Sequence, residues 1–235
     1  MKIKLRIPES LSEITLEQYQ KFTKAKGDDE FMAHKALEVF CGIELKQVLY
    51  LPLSEIEDAT QVIQRAFEES TPLVNQVTLN GVKYGFIPNL YDMTFGEYTD
   101  IEDNISDWDN MHKAMAVMYR PIDSTFGKLY NIQEYKGTAQ TSEAMKHLPL
   151  NVVFGAVNFM YRLGIDLSRA TLLSMRKDLM TQDSQPQKER SLNDGDGTHP
   201  SMPLLKAIHL GLSQFQNSIT DSPIRISLTK LRSTT

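Results

Sequence analysis

At 235 residues, 41% of them apolar, the chain is long enough for one large domain or a domain with an appendage. A compact chain of this size buries roughly 70% of its unfolded surface, so no metal or disulfide is needed to hold it together. Its net charge of −5 argues against general nucleic-acid binding, which needs a basic face to displace counterions from phosphate.

The single cysteine, Cys41, lies in the apolar stretch LEVFCG. One cysteine excludes an intrachain disulfide, a cysteine zinc finger and CxxC redox chemistry, and Cys41 is expected as a small buried hydrophobe. The basic N-terminal stretch lacks the apolar core of a signal peptide, and no run of about 18 apolar residues occurs. A reducing, aqueous compartment is expected, with no membrane partner.

In chain order, residues 2–6 alternate basic and apolar side chains, which predicts a short half-exposed strand ended by Pro8. Thr15-Leu16-Glu17-Gln18 is a capping box and opens a helix running to about Lys24. Gly27 breaks it, and Asp28, Asp29 and Glu30 restart a helix that carries Phe31, Leu37, Val39 and Phe40 up to Gly42. Ser54-Glu55-Ile56-Glu57 reads as a second capping box, with Ile56, Ala59, Ile63, Ala66 and Phe67 behind it as one apolar stripe.

Residues 73–86 predict a hairpin, because Asn80-Gly81 suits the positive φ angles of a type I′ turn. A lone hairpin is marginal in water, and residues 2–6 are its expected third strand. Residues 92–109 hold Asp92, Glu97, Asp100, Glu102, Asp103, Asp107 and Asp109 and no Lys or Arg. They read as an acidic docking face or a divalent-metal site, or else as a solvated helix start, and no oxygen-ligand spacing is evident. Trp108 is expected to anchor the following helix.

Residues 112–119 predict a short helix stopped by Pro121. Arg120 then falls at the helix end, favoured there by the dipole, or else anchors a partner's carboxylate through its planar fork. A polar loop and the aromatic-rich residues 130–138 follow. Residues 143–147 predict one helical turn, and Pro149 the start of a helix with Leu150, Val153, Phe154, Val157, Met160, Tyr161 and Gly164 on one face. A further helix is expected over 166–180, with Arg169, Arg176 and Lys177 on its polar side. The fold expected is mainly α: a helical domain over 1–180 with one small hairpin near 73–87, extended to three strands by the N-terminal one. A polar linker over 181–203 and a C-terminal helix with a basic tail over 204–235 complete it.

Asn193-Asp194-Gly195-Asp196-Gly197-Thr198 contains the DxDGT string of haloacid-dehalogenase-type phosphatases. The charged residues before it cannot form the apolar strand that chemistry needs, and its spacing fails as a calcium loop, so it reads as a turn. No phosphate-binding, nucleophile-elbow or zinc-helix motif occurs, and the five histidines make no metal pair. No enzyme activity, cofactor or metal is expected.

Phe95-Gly96-Glu97-Tyr98, Met118-Tyr119-Arg120-Pro121-Ile122, Tyr135-Lys136-Gly137-Thr138 and residues 145–149 occur in an order that resembles tail-assembly or baseplate-hub-assembly proteins of long-tailed bacteriophages. The resemblance covers roughly residues 1–180. It implies a non-enzymatic chaperone in the host cell cytoplasm that holds a tape-measure or baseplate hub component until the tail polymerises. Such a chaperone needs an exposed apolar or Met-rich groove, for which Met111, Met115, Met118, Met145 and Met160 are available; the alternative use of these methionines is core filling. A structural virion protein of the tail, baseplate or neck is the other reading, with acidic face and basic tail pairing head to tail in a homo-oligomer. Candidate partner-binding residues are Arg120, Tyr119, Tyr135 and Trp108, with Arg225, Lys230 and Arg232 of the tail.

Overall fold

Local signals set the first helices. In the computed structural model, which describes residues 5–127 and 129–182, α1 (Leu16–Thr23) starts where Thr15 and Gln18 exchange capping hydrogen bonds. The second helix, α2 (Asp29–Cys41), is capped by Asp28 and stopped by Gly42, whose φ of 68° is left-handed. After the short α3 (Leu45–Val48) comes α4 (Leu53–Glu68), which buries Ala59, Ile63 and Ala66. The capping box expected at Ser54 does not form. Pro52 is the N-cap residue, so the helix begins before Ser54 and leaves that side chain inside its first turn.

The sheet corrects the expected fold class. A mainly α domain with one hairpin is replaced by a mixed α/β arrangement, in which a four-stranded antiparallel sheet is ordered β1-β2-β3-β4. β1 (Gln76–Leu79) and β2 (Val82–Phe86) form the expected hairpin, with φ of 49° at Asn80 and 82° at Gly81. Of the N-terminal stretch expected as the third strand, residues 2–4 lie outside the described residues, and Leu5 and Arg6 belong to no strand. The hairpin's partner is β3 (Tyr119–Phe126), which hydrogen-bonds β2 on one side and β4 (Leu129–Ile132) on the other. Pro121 therefore does not introduce a loop. It lies near the start of β3, where its carbonyl accepts from Gln133 N at 2.9 Å, and the missing N–H costs one bond at the very end of the β4 ladder.

Two helices join β2 to β3. α5 (Phe95–Ile105) lies against α6 (Met111–Met118), and seven of the eight residues of α6 are buried. A helix apolar on all sides belongs in the middle of a domain, and α6 lies there between α5 and α7 (Ser142–Met145). The five methionines named above are all buried, so they fill the core and line no exposed groove.

The last described helix, α8 (Leu150–Gln182), is one continuous helix of 33 residues, where two had been expected. Gly164 is buried within it, and a single helical glycine costs only about 1 kcal/mol, too little to end a helix. The start of α8 is held by the N-terminal segment, Leu150 N donating to Ile14 O at 2.8 Å and Leu16 N to Leu148 O at 2.9 Å. Among the described residues no helix is long and apolar enough to cross a membrane. Most of the expected linker, the C-terminal helix and the DxDGT string lie outside the described residues.

Candidate interaction site

The site is built from the start of α5, the start of β3 and the chain after β4. Thr94 caps α5: its Oγ1 accepts from Glu97 N, and its own N–H and hydroxyl each donate to Glu97 Oε2 at 2.7 Å. This capping box holds the Glu97 carboxylate over the helix N-terminus and leaves Oε1 free. On β3, Tyr119 turns into the core and Arg120 to the other face, by the two-residue alternation of a strand. Arg120 Nη2 meets Glu97 Oε1 at 2.6 Å, with the side chains only 12% and 4% exposed. The expected position of Arg120 at a helix end is thus corrected, and its carboxylate partner is in its own chain.

Tyr135 closes the cluster. Its ring lies 5.8 Å from the Arg120 guanidinium, and its hydroxyl donates to Asp100 Oδ2, one helical turn after Glu97. Burial, then the bond to Asp100, push the Tyr135 hydroxyl well above the usual tyrosine range. Arg120 Nε is buried without a hydrogen-bond partner. Beside this cluster lies a cleft of about 240 Å³ lined by residues of 87–97, by Arg120 and by Asn131 and Ile132 of β4.

Close packing fixes the sheet under the site. The Tyr130 ring packs against β2 at Gly85, and its hydroxyl donates to Phe86 O at 2.8 Å. A Cβ at Gly85 would come within 2.3 Å of that ring, so only glycine lets the ring cross there.

Of the residues expected at the site, the structure brings Arg120 and Tyr135 together. Tyr119 is fully buried, its ring on Phe86 and its hydroxyl donating to Val74 O at 2.7 Å, so it presents nothing to a partner. Trp108 belongs to an aromatic cluster with Tyr19 and Phe154, at ring distances of 4.6 and 5.7 Å, which does anchor the entry to α6. Arg225, Lys230 and Arg232 lie outside the described residues.

Several acids of the stretch bond within the chain, while Asp92, Asp103, Asp107 and Asp109 remain exposed. Glu97 and Asp100 serve the cluster, Asp107 accepts from Asp109 N and Asn110 Nδ2, and Asp109 pairs with Lys24 at 3.3 Å. Among the described residues no group of three or more His, Cys, Asp or Glu is placed to hold a metal ion.

Four exposed apolar side chains were not foreseen from the sequence. Tyr91 and Phe95, on the segment that forms one wall, are 97% and 84% exposed; Phe126 and Leu129, flanking the β3–β4 turn, are 69% and 75% exposed. Glu97 was legible, since Thr94-x-x-Glu97 is a capping-box pattern; the exposure of the four apolar residues was not. Comparison of the chain with protein-family models, with curated proteins and with solved structures gives no match.

Proposed function

We propose that the protein is a non-enzymatic assembly protein of a bacteriophage tail, a chaperone that holds a tape-measure or baseplate hub component during tail morphogenesis in the host cell cytoplasm. One observation supports this reading above the others. Three of the four sequence strings that resemble tail-assembly proteins, far apart in the chain, meet at one place in the fold. Glu97 comes from the first string, Arg120 from the second and Tyr135 from the third, joined by an ion pair and a cation–π contact.

The chain segment that supplies one wall of the cleft beside them also carries the exposed Tyr91 and Phe95, and exposed aromatic side chains are a feature of surfaces that take up another protein. The buried ion pair acts as a frame: it fixes α5 to β3, so Phe95, at the start of α5, is presented on a rigid element. The test is a tagged pull-down from infected cells beside mass spectrometry of purified particles. Tape-measure or hub protein in the pull-down, with the chaperone absent from particles, is the expected result. Stoichiometric presence in particles would instead make this a structural protein of the tail, baseplate or neck. A Tyr91→Ser/Phe95→Ser variant is expected to fold normally and lose the captured component.

A further inference from the structure

The cleft beside the Glu97–Arg120 pair is small and mixed in chemistry. At about 240 Å³ it falls below the roughly 300–1,000 Å³ of sites for cofactors and drug-sized ligands, which leaves room for one large side chain. Ile87, Pro88, Met93 and Ile132 give it apolar lining, and Asn89, Asp92 and Asn131 add polar atoms beside the ion pair.

Asp92 sets the charge of this cleft. Glu97 and Arg120 neutralise each other at 2.6 Å. Asp92 is exposed, and among the described residues no cation lies within ion-pair distance of it. Its Oδ2 accepts from Asn89 Nδ2 at 2.6 Å, and Asn89 Oδ1 in turn accepts from Tyr91 N at 3.1 Å. The carboxylate is therefore held in place with Oδ1 left as an acceptor. On β4, Asn131 Nδ2 donates to Ser124 Oγ at 3.3 Å, which leaves the Asn131 carbonyl oxygen as a second acceptor. The start of α5, which otherwise favours an anion, already has its partners in Thr94 and Glu97. An anionic ligand would meet the Asp92 charge, and a purely apolar one would strip water from that carboxylate and replace it with nothing. An apolar stem that ends in a cation satisfies both the lining and the acceptors.

We propose that the cleft receives an arginine side chain of a partner protein, its stem against the apolar lining and its guanidinium on Asp92, with Asn131 as a further acceptor. Arginine suits it better than lysine, because a planar fork donates to more than one acceptor at once. The proposal rests on the assembly-protein reading for the purpose of that contact. Tyr91 and Phe95, exposed on the same segment as Asp92, take up apolar residues beside the arginine.

Nuclear magnetic resonance on the full chain tests this by titration with the peptide acetyl-Leu-Arg-Leu-amide. The control peptide carries citrulline in place of arginine, which keeps the shape and removes the charge. The arginine peptide is expected to give saturable shifts at the amides of residues 89–93 and 131–132, and to bind roughly fivefold or more tightly than the control. Asp92→Asn, at an exposed position, is expected to abolish that preference, and Asn131→Ala, also exposed, to weaken the arginine peptide at least roughly twofold. Equal affinity for the two peptides overturns the proposal, as does undiminished affinity in either variant. Shifts spread over Asp103, Asp107 and Asp109 also overturn it, because charge attraction without a site would then account for the binding. Shifts at the cleft that grow with protein concentration alone place a second copy there and refute the arginine contact. Because the titration uses the isolated protein, its failure leaves the pull-down result standing, and a failed pull-down leaves the arginine site standing.

Discussion

Replacing Arg120 by Met tests the frame of the site directly. The substitution keeps an unbranched apolar stem and removes the charged guanidinium, leaving Glu97 buried at 3% exposure with no cation. Breaking one side of a buried ion pair costs about 3–5 kcal/mol, because the remaining charge is left without compensation. The two hydrogen bonds that Thr94 donates to Glu97 Oε2 survive and place the loss toward the lower end. With a urea m-value of about 2 kcal/mol per molar, the unfolding midpoint falls by roughly 1.5 M. Glu97→Gln keeps the capping box, since Gln also serves at that position. The double variant is therefore expected to be more stable than Arg120→Met alone, and a urea-denaturation cycle over the four proteins measures the coupling. An Arg120→Met loss below about 1 kcal/mol, or strict additivity in the cycle, would refute the reasoning that a desolvated pair holds α5 to β3.

Gly85→Ala drives a Cβ into the Tyr130 ring and is expected to cost about 1–3 kcal/mol in thermal or urea unfolding; adding Tyr130→Ser should recover part of the loss. His112, buried and hydrogen-bonded through Nδ1 to Gln20, has its pKa lowered, first by burial. The unfolded chain then binds the extra proton more readily than the folded one. Stability present above pH ~6.5 should fall as the pH drops below that value toward the lowered folded pKa, and a His112→Gln variant should flatten that part of the curve. Burial pushes the Cys41 thiol up to about 11, so alkylation by iodoacetamide at pH 7 should be far slower than for a free cysteine, and fast labelling of the native protein would contradict its place in the fold.

Short-range chemistry made several elements legible in the sequence. Thr15 and Gln18 form their capping box with groups three residues apart, so no distant contact was needed to foresee α1. Asn80-Gly81 dictates its own turn, because few other residues accept two positive φ angles in succession. The stripe of Ala59, Ile63 and Ala66 announced the buried face of α4 by spacing alone.

Residues 122–132 were not legible, because their mixed polar and aromatic sequence becomes strand only when β2 supplies ladder partners on one side and the chain folds back on the other. Two helices were expected, one with Gly164 on its apolar face and another over 166–180, while α8 runs on through the buried Gly164 as one helix. The site shows the same division. Glu97 was foreseeable as a capping residue and Arg120 as a cation seeking a carboxylate, but 23 residues separate them, and only the packing of α5 on β3 brings their charges to 2.6 Å in a place that excludes water. Which apolar side chains remain in water, Tyr91, Phe95, Phe126 and Leu129 among them, was likewise decided by tertiary structure, since exposure is a property of what packs against a residue and not of the residue itself.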